Sequence, residues 1–291
     1  MPTASTSLPD LRISAKSLAL DLLSTMPPQY PVAVSALLRG AAVLGIGENS
    51  MRVALARLRA RGLVESDERG LYRLSPIAEP VNRIVRSWRC IEQSVARWDG
   101  SWLAIEMSDL PRRDRKRARR RLRALRLLGF EALTPGLLIR PDNLKGGIGD
   151  VRERLTALGY SPAPMAFELA GLDSERDAHA RSLWNVATLE AGYRSSRERL
   201  MKSIERLSSL SETEAMAETF LLGGEAVRRI VLDPLLPEPI VDTTARRALV
   251  DAMRRYDRIG RDCWKAWAGE SVLLEQSPAG ASGIATASGS A

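Results

Sequence analysis

GENSMRVALARLRARGLVESDERGLYRLSP, residues 47–76, changes its hydrophobic period halfway along, and that change decides the fold of the first part of the chain. Met51, Ala54, Leu55 and Leu58 recur at i, i+3, i+4 and i+7, the spacing that lines one face of an α-helix. After Gly62 the runs LVES and LYRL alternate with a period of two around the turn Glu68-Arg69-Gly70, which reads as a β-hairpin. The helix face turned away from the core carries arginines and an asparagine instead of the usual mixture of signs. Asn49, Ser50, Arg52, Val53, Ala56 and Arg57 make up that face.

Working outward, SAKSLALDLLSTM (14–26) and AVSALLRGAAVLG (33–45) each place apolar residues on one helical stripe. PPQYP separates them, and GIG supplies a tight turn before the third helix. Three helices followed by a hairpin over residues 14–75 is a winged helix-turn-helix pattern. Such a helix fits the major groove of DNA, where Arg pairs bidentately with guanine, Asn with adenine, and Val53 and Ala56 are small enough to approach base edges. Arg59, Arg61, Arg69 and Arg73 stand where phosphates would flank the groove, with Tyr72 on the wing. The competing reading is an ordinary three-helix module with a solvated basic face.

The chain has 291 residues, a length that suits two or three domains. Its 43 Lys+Arg against 35 Asp+Glu leave a formal charge of +8, which favours a polyanionic partner. No run of about 18 uncharged apolar residues occurs, and the N-terminal MPTASTSLPDLRIS lacks the apolar centre of a signal peptide, so a cytoplasmic location without membrane contact is expected. Cys90 and Cys263 have no CxxC spacing, and His179 has no neighbour that makes a metal site with it. No phosphate-binding glycine loop or nucleophile motif is present, so neither a cofactor nor an enzymatic activity is expected.

Beyond a linker helix at 76–96, residues 97–172 run strand, helix, strand, strand, helix, strand, the order of a ferredoxin-like βαββαβ domain. Ala118, Leu122 and Leu125 mark the inward side of its first helix. Between Arg112 and Arg126, ten of fifteen residues are Arg or Lys. Arg112, Arg113, Lys116, Arg119, Arg120 and Arg123 would share the outward side, tracking phosphates, pairing across a dimer, or standing solvated. Residues 173–269 read as a helical C-terminal effector or dimer domain, with Trp184, Tyr193, Phe220, Tyr256, Trp264 and Trp267 as core or pocket aromatics. A lead at 1–13 and a low-complexity tail at 270–291 are expected to be disordered. The fold class expected is therefore α+β and multidomain.

The chain resembles the PaaX-type transcriptional repressors, the family that controls phenylacetate catabolism and related aromatic pathways. The likeness runs through MRVALARLRARGLVE (51–65), RWDGSWLAIEMSDLP (97–111), LRLLGFEALTPGLLIRPDNL (125–144) and VRRIVLDPLLPEP (227–239). It implies a homodimeric repressor that binds double-stranded operator DNA and is released by an acyl-CoA effector such as phenylacetyl-CoA. By the same resemblance the DNA-reading helix falls at 48–61 and the wing at 64–74. Where the family often carries Trp-Pro-Gly after its DP.LP segment, this chain reads EPIVDTTARRAL. The central unit is also similar to the small CRISPR-associated ferredoxin-like endoribonucleases, which implies an alternative: a metal-dependent nuclease with Asp109 as a metal ligand. The same Asp109 and Pro111 would equally end a strand and cap a helix.

Overall fold

Ser14 starts the first helix, α1 (Ala15–Thr25), by accepting a hydrogen bond from the Ser17 amide at 3.1 Å. Leu18, Ala19, Leu22 and Leu23 of α1 are buried. They meet α2 (Val34–Val43), which buries Ala36, Leu37, Gly40 and Ala41, and α3 (Glu48–Ala60), which buries Met51, Ala54, Leu55 and Leu58. The stripe expected on α3 is thus the stripe observed, with Met51 at 0 % and Leu55 at 1 % exposure. The computed structural model describes residues 13–26, 30–107, 114–160, 162 and 164–265, and these three helices belong to a compact unit, Ile13–Ser75.

The hairpin of that unit is β2 (Val64–Ser66) and β3 (Leu71–Leu74), paired antiparallel with Ser66 opposite Tyr72. Its turn is closed by Asp67, whose Oδ1 accepts the amides of Arg69 at 3.0 Å and Leu71 at 2.9 Å, while Gly70 takes the left-handed φ of +76°. A third strand, β1 (Val32–Ala33), pairs with β3 on its other side. Two residues are too few for any periodicity to announce it.

The second unit, Pro76–Cys263, contains a four-stranded sheet and most of the helix. Along the chain come β4 (Trp102–Glu106), α5 (Arg115–Leu127), β5 (Glu131–Thr134), β6 (Leu137–Pro141), α6 (Gly147–Ala157) and β7 (Ala166–Leu169). The strand order is β5-β6-β4-β7 and every neighbouring pair is antiparallel. WLAIE is apolar almost throughout because β4 is central and covered on both faces. Leu103 and Ile105 pack with Ala124 and Leu125 of α5 and with Val151 and Leu155 of α6. Trp102 and Ala104 point the opposite way, toward Ala180, Trp184, Leu236 and Val241.

That second face explains a difference from the sequence-based division at residue 172. The helices after β7 are α7 (Ser174–Arg181), α8 (Val186–Arg206), α9 (Glu212–Val231) and α10 (Thr243–Cys263), and they lie in the same compact unit as the sheet. Trp184 stacks on Trp102 with ring centroids 6.2 Å apart, and its indole N–H donates to Gly129 O at 3.2 Å. Buried Arg140 on β6 donates to the carbonyls of Leu128 and Pro234, and Asn143 donates to Leu235 O at 2.7 Å. The DPLLPEP crossing is therefore bonded to the sheet. What reads as one long helical run from residue 175 breaks between α7 and α8, where Asn185 accepts from the Thr188 amide at 3.0 Å and Trp184 turns inward.

The span 76–96, read from sequence as one linker helix, is α4 (Glu79–Arg86) followed by a 3₁₀ segment, Ser87–Ser94. Trp88 and Ile91 of that segment are buried in the core formed by α8, α9 and α10. It is part of the packed unit because two large apolar side chains hold it there. Among the expected core aromatics, Trp184, Tyr193 and Tyr256 are buried, Phe220 and Trp264 are half-buried, and Trp267 lies outside the described residues. Residues 1–12 of the expected lead and all of the expected tail at 270–291 also lie outside them.

Candidate nucleic-acid interface

The buried stripe of α3 fixes which side chains it presents outward. Asn49, Ser50, Arg52, Val53, Ala56 and Arg57 are all exposed, as are Arg59 and Arg61 at the helix end. Val53 is 41 % exposed, an apolar side chain left in water at the centre of this face. Arg57 and Arg59 occupy the last turn, where their charge complements the helix dipole, and Glu48 does the same at the first turn.

Two of the arginines already hold acids. Arg52 donates from Nε and Nη2 to Glu48 Oε1 at 2.9 and 2.6 Å, one helical turn away. Arg73 of β3 donates to Glu65 Oε2 of β2 at 2.9 Å, across the hairpin pair that sets these two residues opposite each other. Arg59 Nη1 donates to Ser66 Oγ at 3.1 Å, joining the end of α3 to the hairpin. Arg69 is exposed at the hairpin tip, and Tyr72 is half-buried beside it. Both ion pairs are open to solvent, with side-chain exposures of 54 % and 63 % for Arg52 and Glu48, so each contributes little to stability and exchanges readily for a stronger anion. Glu48 and Glu65 are acidic neighbours of these arginines that a search for cations passes over, although the i, i+4 spacing and the hairpin register were both legible.

A family profile described as "PaaX-like protein" matches residues 14–78, and one described as "PaaX-like protein C-terminal domain" matches residues 184–266. The chain belongs to the PaaX-like family. The first match covers α1 to the end of the hairpin, so the α3 face lies within the PaaX-like N-terminal segment. The second covers α8, α9 and α10. PaaX-like proteins are in general transcriptional regulators, which accords with DNA as the partner of a basic face. Among solved structures, the uncharacterized protein Rv0674 from Mycobacterium tuberculosis is similar at 24 % identity and a TM-score of 0.52, over 86 % of this chain and 98 % of that one. That likeness concerns the mixed α+β fold alone. No curated protein matches the chain.

The basic helix is α5. Leu125 is buried in the sheet core with Ala124, Leu122 packs half-buried against the same core and Ala118 is half-buried, so the inward side is the one expected, with Arg121 buried on it as well. Arg121 lies over the Tyr160 ring, 4.7 Å from its centroid. Arg120 is exposed, and its guanidinium lies against Gly159, in the space a Cβ there would fill. Lys116, Arg119 and Arg123 are exposed, and Arg115 and Arg126 join them. Arg112, Arg113 and Asp109 lie outside the described residues. Among the described residues no helix is long and apolar enough to cross a membrane.

Proposed function

We propose that this PaaX-like chain is a repressor of an aromatic-acid catabolic operon, that residues 14–75 are a winged helix-turn-helix reading operator DNA through α3, and that an aryl-CoA thioester such as phenylacetyl-CoA releases it. The observation that carries the reading is the division of α3 into a fully buried stripe and an exposed face of Asn49, Ser50, Arg52, Val53, Ala56 and Arg57, followed by a hairpin with Arg69 at its tip. This is the arrangement of side chains that major-groove readout requires. The antiparallel order β5-β6-β4-β7 supports a ferredoxin-like reading of the central strands and helices. One such helix reads few base pairs, so the economical assembly is a two-fold homodimer on an inverted repeat. The repressor role and the effector come from the family resemblance. The nuclease alternative gains nothing from the family match, and the aspartate it depends on is undescribed.

Replacing Arg52 with Ala will weaken operator binding by about 1–3 kcal/mol while leaving random DNA much less affected. Titrating both duplexes against the variant checks this. Equal losses on the two would make Arg52 a phosphate contact and move the base-reading role to Asn49 or Arg57. For the effector, phenylacetyl-CoA at roughly a hundredfold above its dissociation constant will stabilise the fold by about 2.7 kcal/mol and release the operator. A thermal-shift series of acyl-CoA thioesters reads this directly. No shift with any aryl thioester would separate this chain from the phenylacetate-responsive members.

A further inference from the structure

We infer that the outward stripe of α5, formed by Arg115, Lys116, Arg119, Arg123 and Arg126, is a second DNA-binding surface that follows the phosphate backbone without reading sequence. The inference rests on the DNA-binding reading above and extends it to the unit Pro76–Cys263, which that reading leaves without a nucleic-acid role.

Three observations point the same way. The first is a local imbalance of charge. Several arginines elsewhere in this unit are paired with acids, Arg194 with Glu190, Arg199 with Glu225, Arg254 with Asp251 and Arg261 with Asp257, on helices that carry both signs of charge. Among the described residues none of the five stripe cations has an acidic partner, and α5 itself contains no acid. A face whose purpose was solubility would mix signs as the neighbouring helices do.

The second is that the charges are placed against the stability of the helix. Arg115, Lys116 and Arg117 fill its first turn, where the helix dipole repels cations, with Asp114 as the N-cap. Arg115, Arg119 and Arg123 repeat at i, i+4 and i+8, so like charges face each other along the stripe. The repulsion is relieved when a polyanion lies alongside.

The third is spacing. From Arg115 to Arg126 the helix rises eleven steps, about 16 Å, so five cations fall at roughly one per 4 Å of axis. One strand of B-DNA presents a phosphate per about 3.4 Å of helix axis. Because the strand winds about that axis, successive phosphates lie farther apart along it than this rise, so a stripe of this length spans roughly two or three of them and offers each more than one cation. A single nucleotide would meet only one or two of the cations.

The test compares the full-length protein with the triple variant Arg119→Gln/Arg123→Gln/Arg126→Gln on a random-sequence duplex of about 30 base pairs and on the operator, across a salt series. Three lost phosphate contacts will lower the slope of log K against log salt by up to about 2.7 on both duplexes, with the operator preference unchanged. The triple Arg→Lys variant keeps the charge and will keep the slope, which separates loss of charge from loss of fold. An unchanged slope in the Gln variant, with Arg52→Ala still losing operator affinity, overturns the inference and leaves the α3 reading standing. A slope that holds while the Gln variant loses self-association overturns it in favour of contacts between protomers. Wild-type protein that binds neither duplex overturns both readings.

Discussion

Arg246→Met will lower the stability of the helical part of the protein by about 3–5 kcal/mol at neutral pH, and the deficit will shrink as the pH falls. Arg246 on α10 is 2 % exposed and joins three groups. It donates to Glu92 Oε1 at 3.0 Å and to Leu236 O at 2.9 Å, and its Nη1 lies 3.9 Å from Asp233 Oδ1. Without it, Asp233 is a buried carboxylate that keeps the Leu235 amide, at 2.7 Å, and the Tyr193 hydroxyl but has lost its cation. Methionine fills much of the volume, so the loss is electrostatic and not a cavity.

The pH dependence follows from Asp233. Burial raises its pKa above the ordinary aspartate value of 3.8, against the opposing pull of Tyr193 and Arg246. The folded state therefore holds this proton more tightly than the unfolded chain, and stability falls as the pH rises through the window above 3.8. Taking away Arg246 raises that pKa further and extends the window upward. The difference between variant and wild type thus grows with pH. Denaturant midpoints in mildly acid and neutral buffer measure it, with an unchanged m-value as the control. The double variant Arg246→Met/Asp233→Asn will recover most of the loss. A pH-independent deficit below about 1 kcal/mol would mean that the network contributes nothing beyond packing.

Asp233 and Arg246 also mark where the sequence stopped being informative. The unit Ile13–Ser75 was legible because its apolar residues recur with clean periods: Met51, Ala54, Leu55 and Leu58 on α3, then the alternation of β2 and β3. The strand and helix order of the central region was legible for the same reason. The joining of that sheet to the C-terminal helices was not. It depends on Arg140 reaching Pro234 O, Asn143 reaching Leu235 O, and a Cβ-free Gly129 lying against the Pro234 backbone. These are polar or glycine positions about 90 to 105 residues apart along the chain, and no local periodicity encodes them.

The candidate interface divides similarly. Exposure of the α3 residues follows from the buried stripe, since a helix that fixes one face fixes the other. The partners of Arg52 and Arg73 were available in the spacing and the register but needed a reason to be sought. On α5 the density of arginine hid the buried cation. With cations at eight of thirteen positions, a charge count does not say which one points inward, and Arg121 does so because it lies over Tyr160.

Leu55→Ala will destabilise the α3 unit by about 2–5 kcal/mol and will abolish operator binding without touching any residue that faces outward. Leu55 is 1 % exposed, at the centre of the stripe that packs on α1 and α2. Its removal loses the transfer of the deleted atoms and leaves a void in a core assembled by three short helices and three short strands, where little else can collapse inward. A unit of this size has about 5 kcal/mol in reserve, so the loss takes a large share of it. Amide hydrogen exchange on peptides from residues 48–60 reads the outcome locally, as a rise in exchange by roughly two orders of magnitude or more. Val53→Ala is the matched control: Val53 is on the same helix but 41 % exposed, so its truncation will leave exchange near the wild-type rate. If Leu55→Ala exchanged no faster than Val53→Ala, the stripe would not be what holds α3 in place, and the outward face would lose the rigid support that groove readout demands.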